Sequence, residues 1–256
     1  MPWSLARRVV LFAPLLSLLL MPPSPSWAGN FGLDFLKIEL SPAHKVETVT
    51  VDNKGDAPLV VQVRAMAWSQ DREGKDQTSP TTELFLMPRV LTIAPGEKRP
   101  VRIGSDRFPG KTEKAFRLYF TEVPEQAGSG KPGLKMAMSL GIPLFVRPDK
   151  TAPPAGTVAN FAIDKGKILF RVENTSPVHL VMTGIRMTGR DAAGAEVCSG
   201  ALPRSFVLAG NSKPFTWEIP KESCARVVAV SLEAELDNKQ GTLKANATFP
   251  SPSCAD

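Results

Sequence analysis

The side chains that most often carry out catalysis are scarce in this sequence of 256 residues. It contains two histidines, His44 and His179, and neither lies in a recognisable catalytic motif. The nucleophile motif GxSxG and the zinc motif HExxH are both absent. No CxxC pair accompanies the histidines, so the sequence offers no familiar set of metal ligands. We therefore expect a protein that is not an enzyme and that uses no cofactor or metal.

Three cysteines, Cys198, Cys224 and Cys254, all lie in the second half of the chain. In an exported protein cysteines usually form disulfides in pairs, so an odd count leaves one over. We predict a disulfide between Cys198 and Cys224, because each adjoins a predicted strand. The closed loop of about 26 residues would add roughly 3–4 kcal/mol to the stability of the fold. Pairing of Cys224 with Cys254 stays open as the alternative.

The most informative spacing is a row of apolar side chains at alternate positions between Gly133 and Arg147. The row consists of Leu134, Met136, Met138, Leu140 and Ile142, and Lys135, Ala137, Ser139 and Gly141 fill the gaps. This alternation is typical of a β-strand with one apolar face. That face either packs only inside the protein's own β-sandwich or also contacts another polypeptide. Methionine suits the second role because its unbranched thioether adapts to irregular pockets.

The first 28 residues have the features of a secretory signal peptide. Arg7 and Arg8 precede an apolar run from Val9 to Met21, and small residues around Ala28 fit the cleavage site. The run is too short to span a membrane, and no later stretch is long and apolar enough to do so. We expect a soluble mature protein outside the cytoplasm. It has 29 basic and 25 acidic side chains. This small excess of positive charge is dispersed along the sequence and gives little support for nucleic-acid binding.

The rest of the sequence has the pattern of an all-β protein. Short runs rich in Val, Thr and Leu alternate with turn residues, and the whole sequence contains 24 prolines and 19 glycines. Strands are predicted in the first half at Leu33–Leu40, Val46–Asn53, Leu59–Trp68, Glu83–Leu86, Arg99–Ile103, Ala115–Glu122 and Leu134–Val146. Those of the second half are Lys167–Asn174, Leu180–Arg186, Arg204–Leu208, Pro214–Ile219, Arg226–Leu236 and Gly241–Phe249. A Pro-rich linker at 148–156 separates two immunoglobulin-like β-sandwich domains, at 29–147 and 157–256.

Six segments of the first half, in order, resemble the periplasmic chaperones of the chaperone–usher pathway, which assemble pili on Gram-negative bacteria. The segments are LDFLKIELSP, TVTVDN, LVVQVRAMAW, MPRVLTIAPGEKRPVRIGS, EKAFRLYFTEVP and GIPLFVRP. ENTSP, at Glu173–Pro177, resembles the asparagine-containing start of that family's second domain. The resemblance implies two immunoglobulin-like domains at an angle and no enzymatic activity.

The resemblance also implies a mechanism, donor-strand complementation. The chaperone lends its G strand to a pilus subunit whose own sandwich lacks its last strand, and then delivers the subunit to an outer-membrane usher. Without that strand the subunit would expose unpaired backbone groups and an apolar groove. The donated row here is Leu134, Met136, Met138 and Leu140. Burial of three or four such side chains is worth about 5–10 kcal/mol before ordering costs are subtracted.

Family members hold the C-terminal carboxylate of the subunit with two basic residues. Lys37, on the first strand, matches one of them and can pair with a carboxylate. The other position, on the G strand directly before LFVRP, is occupied here by Pro143. A second cation must therefore come from elsewhere, and we expect Arg102, with Arg117 and Arg89 as alternatives.

Glu113 and Arg147 match family positions that form an interdomain salt bridge with an acidic residue of the second domain. Asp237 is the candidate for that residue, although it could equally be an isolated surface charge. We expect such a network to fix the angle between the domains more than to stabilise them, because solvent-accessible ion pairs contribute little.

Two functions remain at this point. The first is a chaperone whose partners are pilus subunits and an outer-membrane usher, with no nucleic acid and no membrane insertion. The second is a secreted two-domain immunoglobulin-like adhesin or structural pilus protein that shares only the fold. Self-association of the free protein, which would cover the apolar row, also stays open.

Overall fold

The alternating apolar residues form strands that build two successive β-sandwiches. The computed structural model describes residues 31–124, 137–150, 152–237 and 241–250. The strands of the first sandwich are β1 (Phe31–Leu33), β2 (Ile38–Leu40), β3 (Val46–Asn53), β4 (Leu59–Gln70), β5 (Asp76–Pro80), β6 (Phe85–Met87), β7 (Val90–Ile93), β8 (Lys98–Gly104), β9 (Lys114–Glu122) and β10 (Ser139–Val146). Those of the second are β11 (Gly156–Asp164), β12 (Lys167–Asn174), β13 (Leu180–Arg190), β14 (Glu196–Leu202), β15 (Ser205–Val207), β16 (Ser212–Glu218), β17 (Ala229–Leu236) and β18 (Thr242–Thr248), with one short helix, α1 (Lys221–Cys224). The predicted signal peptide, residues 1–28, lies outside the described residues.

The first sandwich packs a four-stranded sheet against a six-stranded one. The smaller sheet has the order β1-β3-β8-β6, and the larger has the order β2-β10-β9-β4-β5 with β7 paired to β4. β2 and β10 run parallel, and the other described pairs of this sandwich are antiparallel. Inward side chains such as Val49, Val101 and Leu118 are fully buried between the sheets. Each such side chain contributes about 1.5–3 kcal/mol through removal of its surface from water.

The second sandwich repeats the two-sheet plan with fewer strands. One sheet has the order β11-β12-β16, and the other has the order β14-β13-β17-β18 with β15 paired to β13. Its core, around Ile168, Leu180 and Met182, is separate from that of the first sandwich. The predicted fold class, all-β with two immunoglobulin-like sandwiches, is confirmed.

The first predicted strand, Leu33–Leu40, is in fact divided between two sheets. β1 pairs with β3 in the smaller sheet, and β2 pairs with β10 in the larger one. The four residues between β1 and β2 cross the end of the sandwich. Asp34 Oδ1 accepts a hydrogen bond from Thr50 N at 2.8 Å, which ties the chain where it leaves the smaller sheet. This crossing places Lys37 directly before β2.

The β4–β5 hairpin extends beyond the predicted end of β4 because its turn is stabilised by one side chain. Asp71 Oδ1 accepts hydrogen bonds from the backbone N–H groups of Glu73 and Lys75, at 3.0 and 2.9 Å. Gly74 adopts a φ of 72°, which the turn requires and which glycine adopts without steric cost. The hairpin carries Gln70 toward the second sandwich.

Equivalent asparagines close one corner of each sandwich. Asn53 and Asn174 each end a strand, are buried, and place Nδ2 within 2.7–3.1 Å of three backbone carbonyl oxygens. The acceptors belong to Ala57, Ile93 and Ala94 for Asn53, and to Val178, Val207 and Leu208 for Asn174. A buried carbonyl without a partner is costly, so each amide satisfies groups that the strands leave unpaired.

A small apolar cluster and a buried amide join the two sandwiches. Trp68 and Phe145 of the first meet Leu208 of the second, and the ring centre of Phe206 lies 5.6 Å from that of Trp68. Gln70 donates from Nε2 to Phe206 O at 3.1 Å and accepts at Oε1 from Leu208 N at 2.9 Å. The two sandwiches are accordingly parts of one compact unit.

The cysteines are not paired as predicted. Cys198 has a free thiol, whereas Cys224 is in a disulfide, so the predicted Cys198–Cys224 bond is wrong. Cys198 lies on β14 opposite Gly189 of β13, and a Cβ added at Gly189 would meet its sulfur at 2.6 Å. The thiol thus packs over its own sheet, and burial raises its pKa. Nearness of both cysteines to strands could not reveal whether their Cα atoms are close enough to bridge, and the alternative partner, Cys254, lies outside the described residues.

Candidate functional site

The two histidines lie in different surroundings. His44 is exposed, and its Nε2 lies 3.0 Å from Glu47 Oε2. The ring of His179 is buried and stacks on Phe145, with 3.5 Å between the ring centres. Within the described ranges, no three His, Cys, Asp or Glu side chains lie close enough together to hold a metal ion. No helix in that part of the chain is long and apolar enough to cross a membrane.

The strand β10, which carries the end of the alternating apolar row, is paired unequally on its two edges. β9 pairs with every residue of β10. On the other edge β2 pairs only with Leu144, Phe145 and Val146. Ser139–Pro143 therefore has no strand partner on the β2 side among the described residues. We call this part of β10 the free edge, and such an edge is a template for another strand.

The hydrogen bonds of β10 show which amides face the free edge. Further along the chain, Arg147 N donates to Leu40 O at 2.8 Å, on the β2 side. Amides directed to one neighbour recur at every second residue, so those of Ser139 and Gly141 face the same side. Pro143, the next residue in this series, has no amide hydrogen. The free edge thus offers two backbone N–H donors, those of Ser139 and Gly141, and no third donor at Pro143.

The predicted donated row is described only in its second half. Leu134 and Met136 lie outside the described residues. Met138 and Leu140 are partly exposed and also pack against the core of the first sandwich, whereas Ile142 is 5% exposed. Within the described part of the row, Ile142 thus belongs to the protein's own core, whereas Met138 and Leu140 are only partly buried beside the free edge.

Lys37 lies where the free edge ends, and two carboxylates hold it. Its Nζ is 2.9 Å from Asp237 Oδ2 of the second sandwich and 2.9 Å from Glu39 Oε1. Burial lowers the pKa of Lys37, but the hydrogen bonds to Asp237 and Glu39 outweigh it, so the pKa is raised above its ordinary value. Arg204 Nη2 also approaches Asp237 Oδ2, at 3.6 Å. The ammonium is thus charged at neutral pH and faces the second sandwich.

Strand register places a second cation beside Pro143. Ile38 pairs with Leu144, so Lys37 is the neighbour of Pro143 on one side. Arg117 of β9 is paired with Pro143 on the other side. Side chains that lie directly opposite in a sheet share a face. Lys37 and Arg117 therefore flank Pro143 on the face of the sheet directed to the second sandwich.

Arg117 is held in this position by two contacts. Its guanidinium lies 3.7 Å from the centre of the Trp68 ring, and its Nη2 is 3.2 Å from Asp76 Oδ2. Arg102, the cation that we expected from sequence, is exposed on β8 in the other sheet, where its paired neighbours belong to β3 and β6. The structure does not bring Arg102 to the face that carries Pro143.

The three residues predicted to form an interdomain salt bridge, Glu113, Arg147 and Asp237, belong to a longer ionic network. Glu113 Oε2 is 3.9 Å from Arg147 Nε, and Arg147 Nη1 is 3.1 Å from Glu39 Oε2. Glu39 shares its ammonium partner with Asp237, which links Asp237 to the network. Glu113 reaches the second sandwich through His179, whose Nδ1 lies 2.9 Å from Oε1 and whose backbone N–H also donates to Oε1. Sequence reasoning missed Glu39 and His179. No local pattern signals the contact of His179 with Glu113, which is 66 positions away in the chain.

Comparison with known proteins gives a consistent family. Residues 31–152 match the profile of the family described as "Pili and flagellar-assembly chaperone, PapD N-terminal domain". The probable fimbrial chaperone YfcS of Escherichia coli (strain K12) is 25% identical over 187 residues, which cover 70% of this chain and 72% of that protein.

Several solved structures share the fold of the whole described chain. The chaperone–tip adhesion subunit complex CsuC–CsuE, from the archaic chaperone–usher Csu pili of Acinetobacter baumannii, has 18% identity and a TM-score of 0.61, with 85% of this chain and 98% of that chain covered. The E. coli chaperone DraB has 19% identity and a TM-score of 0.55, with 86% and 96% covered. The SafB chaperone of Salmonella enterica, solved with the SafA pilin, has 14% identity and a TM-score of 0.55, with 88% and 98% covered. At these identities the likeness is one of fold.

Proposed function

Residues 31–152 belong to the pili and flagellar-assembly chaperone family as its PapD N-terminal domain, and on this premise we propose that the protein is a periplasmic chaperone of pilus subunits. It binds, folds and caps a subunit by donor-strand complementation and delivers it to an outer-membrane usher. The predicted signal peptide supports the periplasmic location. The domain limits that we propose are 29–147 and 157–256, with the linker between them.

The observation that carries this function is the free edge of β10 beside a half-covered apolar row. The edge supplies backbone donors at Ser139 and Gly141, and the row supplies Met138 and Leu140. A subunit sandwich that lacks one strand needs both features, because it has unpaired backbone groups along an apolar groove. An adhesin or structural pilus protein with a complete sandwich would have no need for this edge.

The position of Lys37 sets the direction in which the subunit strand runs. A subunit strand paired with the free edge lies in line with β2 along the same side of β10. Its end lies next to Lys37, the residue directly before β2. β2 runs parallel to β10, so a subunit strand that also runs parallel points its C-terminus at the Lys37 ammonium. An antiparallel strand would point its N-terminus, another cation, at the same group. We therefore propose that Lys37 binds the C-terminal carboxylate of the subunit.

Arg117 is the second carboxylate anchor in this proposal, in place of Arg102. It lies on the same face as Lys37, on the opposite side of Pro143. Contacts with Trp68 and Asp76 fix its guanidinium, and a planar guanidinium can bind a carboxylate through two parallel hydrogen bonds.

The proposed function is tested by co-expression of the mature chain with pilus subunits encoded in neighbouring genes. Met136→Asp and Met138→Asp should abolish recovery of the subunit with the chaperone, because a charge in the row cannot enter an apolar groove without a large desolvation cost. Thr92→Asp, at an exposed position of β7 that pairs with β4 and not with β10, is the matched control and should retain the subunit. Circular dichroism of each purified variant checks that the chaperone still folds. Full recovery with folded Met136→Asp and Met138→Asp would exclude strand donation through this row.

A further inference from the structure

The carboxylate anchor of the free protein already holds a carboxylate, that of Asp237. The Asp237 carboxylate lies between Lys37 of the first sandwich, at 2.9 Å, and Arg204 of the second, at 3.6 Å. The side chains of Lys37 and Asp237 are 20% and 23% exposed, so water screens their attraction less than that of a surface pair. A resident carboxylate between two cations is the arrangement in which a subunit terminus would be bound.

We infer that Asp237 is an internal competitor, which leaves Lys37 when the C-terminal carboxylate of a subunit arrives and thereby sets the affinity of the site. This inference rests on the proposed function. It assigns Asp237 a role in the strength of capture that differs from a fixed part of the interdomain salt bridge.

The charge balance of the network favours exchange over simple addition. Among the described residues, the ion pairs of the site and the network balance: four cations face four carboxylates, namely Lys37, Arg117, Arg147 and Arg204 against Glu39, Asp76, Glu113 and Asp237. A fifth carboxylate beside Lys37 would leave an uncompensated negative charge among partly buried groups, where like charges repel more strongly than in water. One resident carboxylate must therefore withdraw from the ammonium.

Asp237 is the carboxylate best placed to withdraw. Glu39 lies on β2, two residues from Lys37, and Arg147 Nη1 holds its other oxygen at 3.1 Å. Asp237 belongs to the second sandwich, follows the end of β17, and keeps Arg204 as a partner after it leaves Lys37. Capture then replaces one ion pair between the sandwiches with an ion pair to the subunit.

The test uses a small carboxylate so that it does not depend on an identified subunit. The lysines of the intact mature chain are reductively methylated with ¹³C, which preserves their charge, and the Lys37 signal, assigned with Lys37→Arg, is followed by NMR during titration with N-acetylglycine. Asp237→Asn should bind N-acetylglycine at least about threefold more tightly than the wild type, because removal of a partly screened ion pair frees the ammonium. N-acetylglycinamide, which has no carboxylate, should leave the signal unchanged.

Glu233→Gln is the matched control, since it removes one negative charge from the exposed pair that Glu233 of β17 forms with Lys244 of β18. It should bind N-acetylglycine as the wild type does. Binding by Asp237→Asn that is equal to the wild type, weaker, or undetectable would overturn the inference and leave Asp237 as a support for Lys37.

Subunit capture separates this inference from the proposed function. If the wild type retains no co-expressed subunit while Asp237→Asn binds N-acetylglycine more tightly, the proposed function fails and the internal competition stands. If the wild type retains its subunit, but Asp237→Asn binds neither the subunit nor N-acetylglycine more tightly than the wild type, only the inference about Asp237 fails.

Discussion

Lys37 and Arg117 lie on either side of Pro143, but the fold supports them in different ways. Two carboxylates hold the Lys37 ammonium, which raises its pKa and keeps it charged. The Arg117 guanidinium lies over the Trp68 ring and contacts the carboxylate of Asp76. Stacking restrains the guanidinium without using its hydrogen-bond donors. The two residues can therefore act together on one anion that enters between them.

Arg117 and Arg102 make opposite predictions for subunit capture. Arg117→Ala should weaken binding of a co-purified subunit about 10–100-fold, as expected for loss of one charge-assisted hydrogen bond of roughly 1.5–3 kcal/mol. Arg102→Ala removes the same charge from the other sheet and should change binding less than about twofold. The dissociation constants can be compared by biolayer interferometry with immobilised chaperone. Loss of binding in Arg102→Ala together with normal binding in Arg117→Ala would refute our choice of anchor.

At the scale of strands, the sequence predicts what repeats locally and misses what depends on neighbours. β3 and β12 match their predicted ranges, because each alternates buried apolar residues with exposed ones. β5 was missed because all five of its residues are exposed and four of them are polar, so hydrophobic periodicity could not reveal it. The split of Leu33–Leu40 into β1 and β2 also left no signal, since both halves stay apolar while they change sheets.

Cross-strand register explains why part of the site could be predicted and part could not. The apolar row and Lys37 could be read from spacing and from the family resemblance. The partnership of Arg117 with Pro143 depends on how β9 and β10 align, and a single sequence does not fix that alignment. For the same reason Arg102 was a poor choice, although it is as basic as Arg117.

The corner asparagines give a prediction about the second sandwich. Asn174→Leu should lower the free energy of unfolding by about 2–4 kcal/mol, because it leaves several buried carbonyl groups without a donor. Chemical denaturation followed by intrinsic fluorescence measures the loss. Asn246→Leu, at an exposed position of β18, should change it by less than about 0.5 kcal/mol. Equal stability of Asn174→Leu and the wild type would mean that water or relaxed loops replace the asparagine.

At the scale of the whole molecule, several contacts among the described residues join the sandwiches. They include the apolar cluster around Trp68, the Gln70 amide, and the ionic network that runs from Asp237 to His179. The apolar cluster excludes water, and the Gln70 amide makes directional hydrogen bonds. These two contacts therefore determine the relative position of the sandwiches better than exposed charges do. This division allows the Lys37–Asp237 pair to open during capture while the sandwiches stay joined.

Gln70 provides a test of that division. Gln70→Ala should lower the stability of the intact chain by about 1–3 kcal/mol, since Leu208 N and Phe206 O both lose a buried partner. It should also weaken the cooperativity between the sandwiches, visible in differential scanning calorimetry as a broader or split transition. Gln77→Ala, which removes an exposed amide bound to Asp71, should leave a transition like that of the wild type. An unchanged transition in Gln70→Ala would show that the amide does not hold the sandwiches together.

Hydrogen exchange of the individual amides of β10, measured by NMR with and without a bound subunit, tests the free edge most directly. In the free protein the amides of Ser139 and Gly141 should exchange rapidly, while those of Leu140 and Ile142, which face β9, are protected. In the complex Ser139 and Gly141 should become protected by about 100-fold or more, because they then donate to the subunit strand. A stable complex in which both amides still exchange as fast as in the free chaperone would contradict strand donation at this edge.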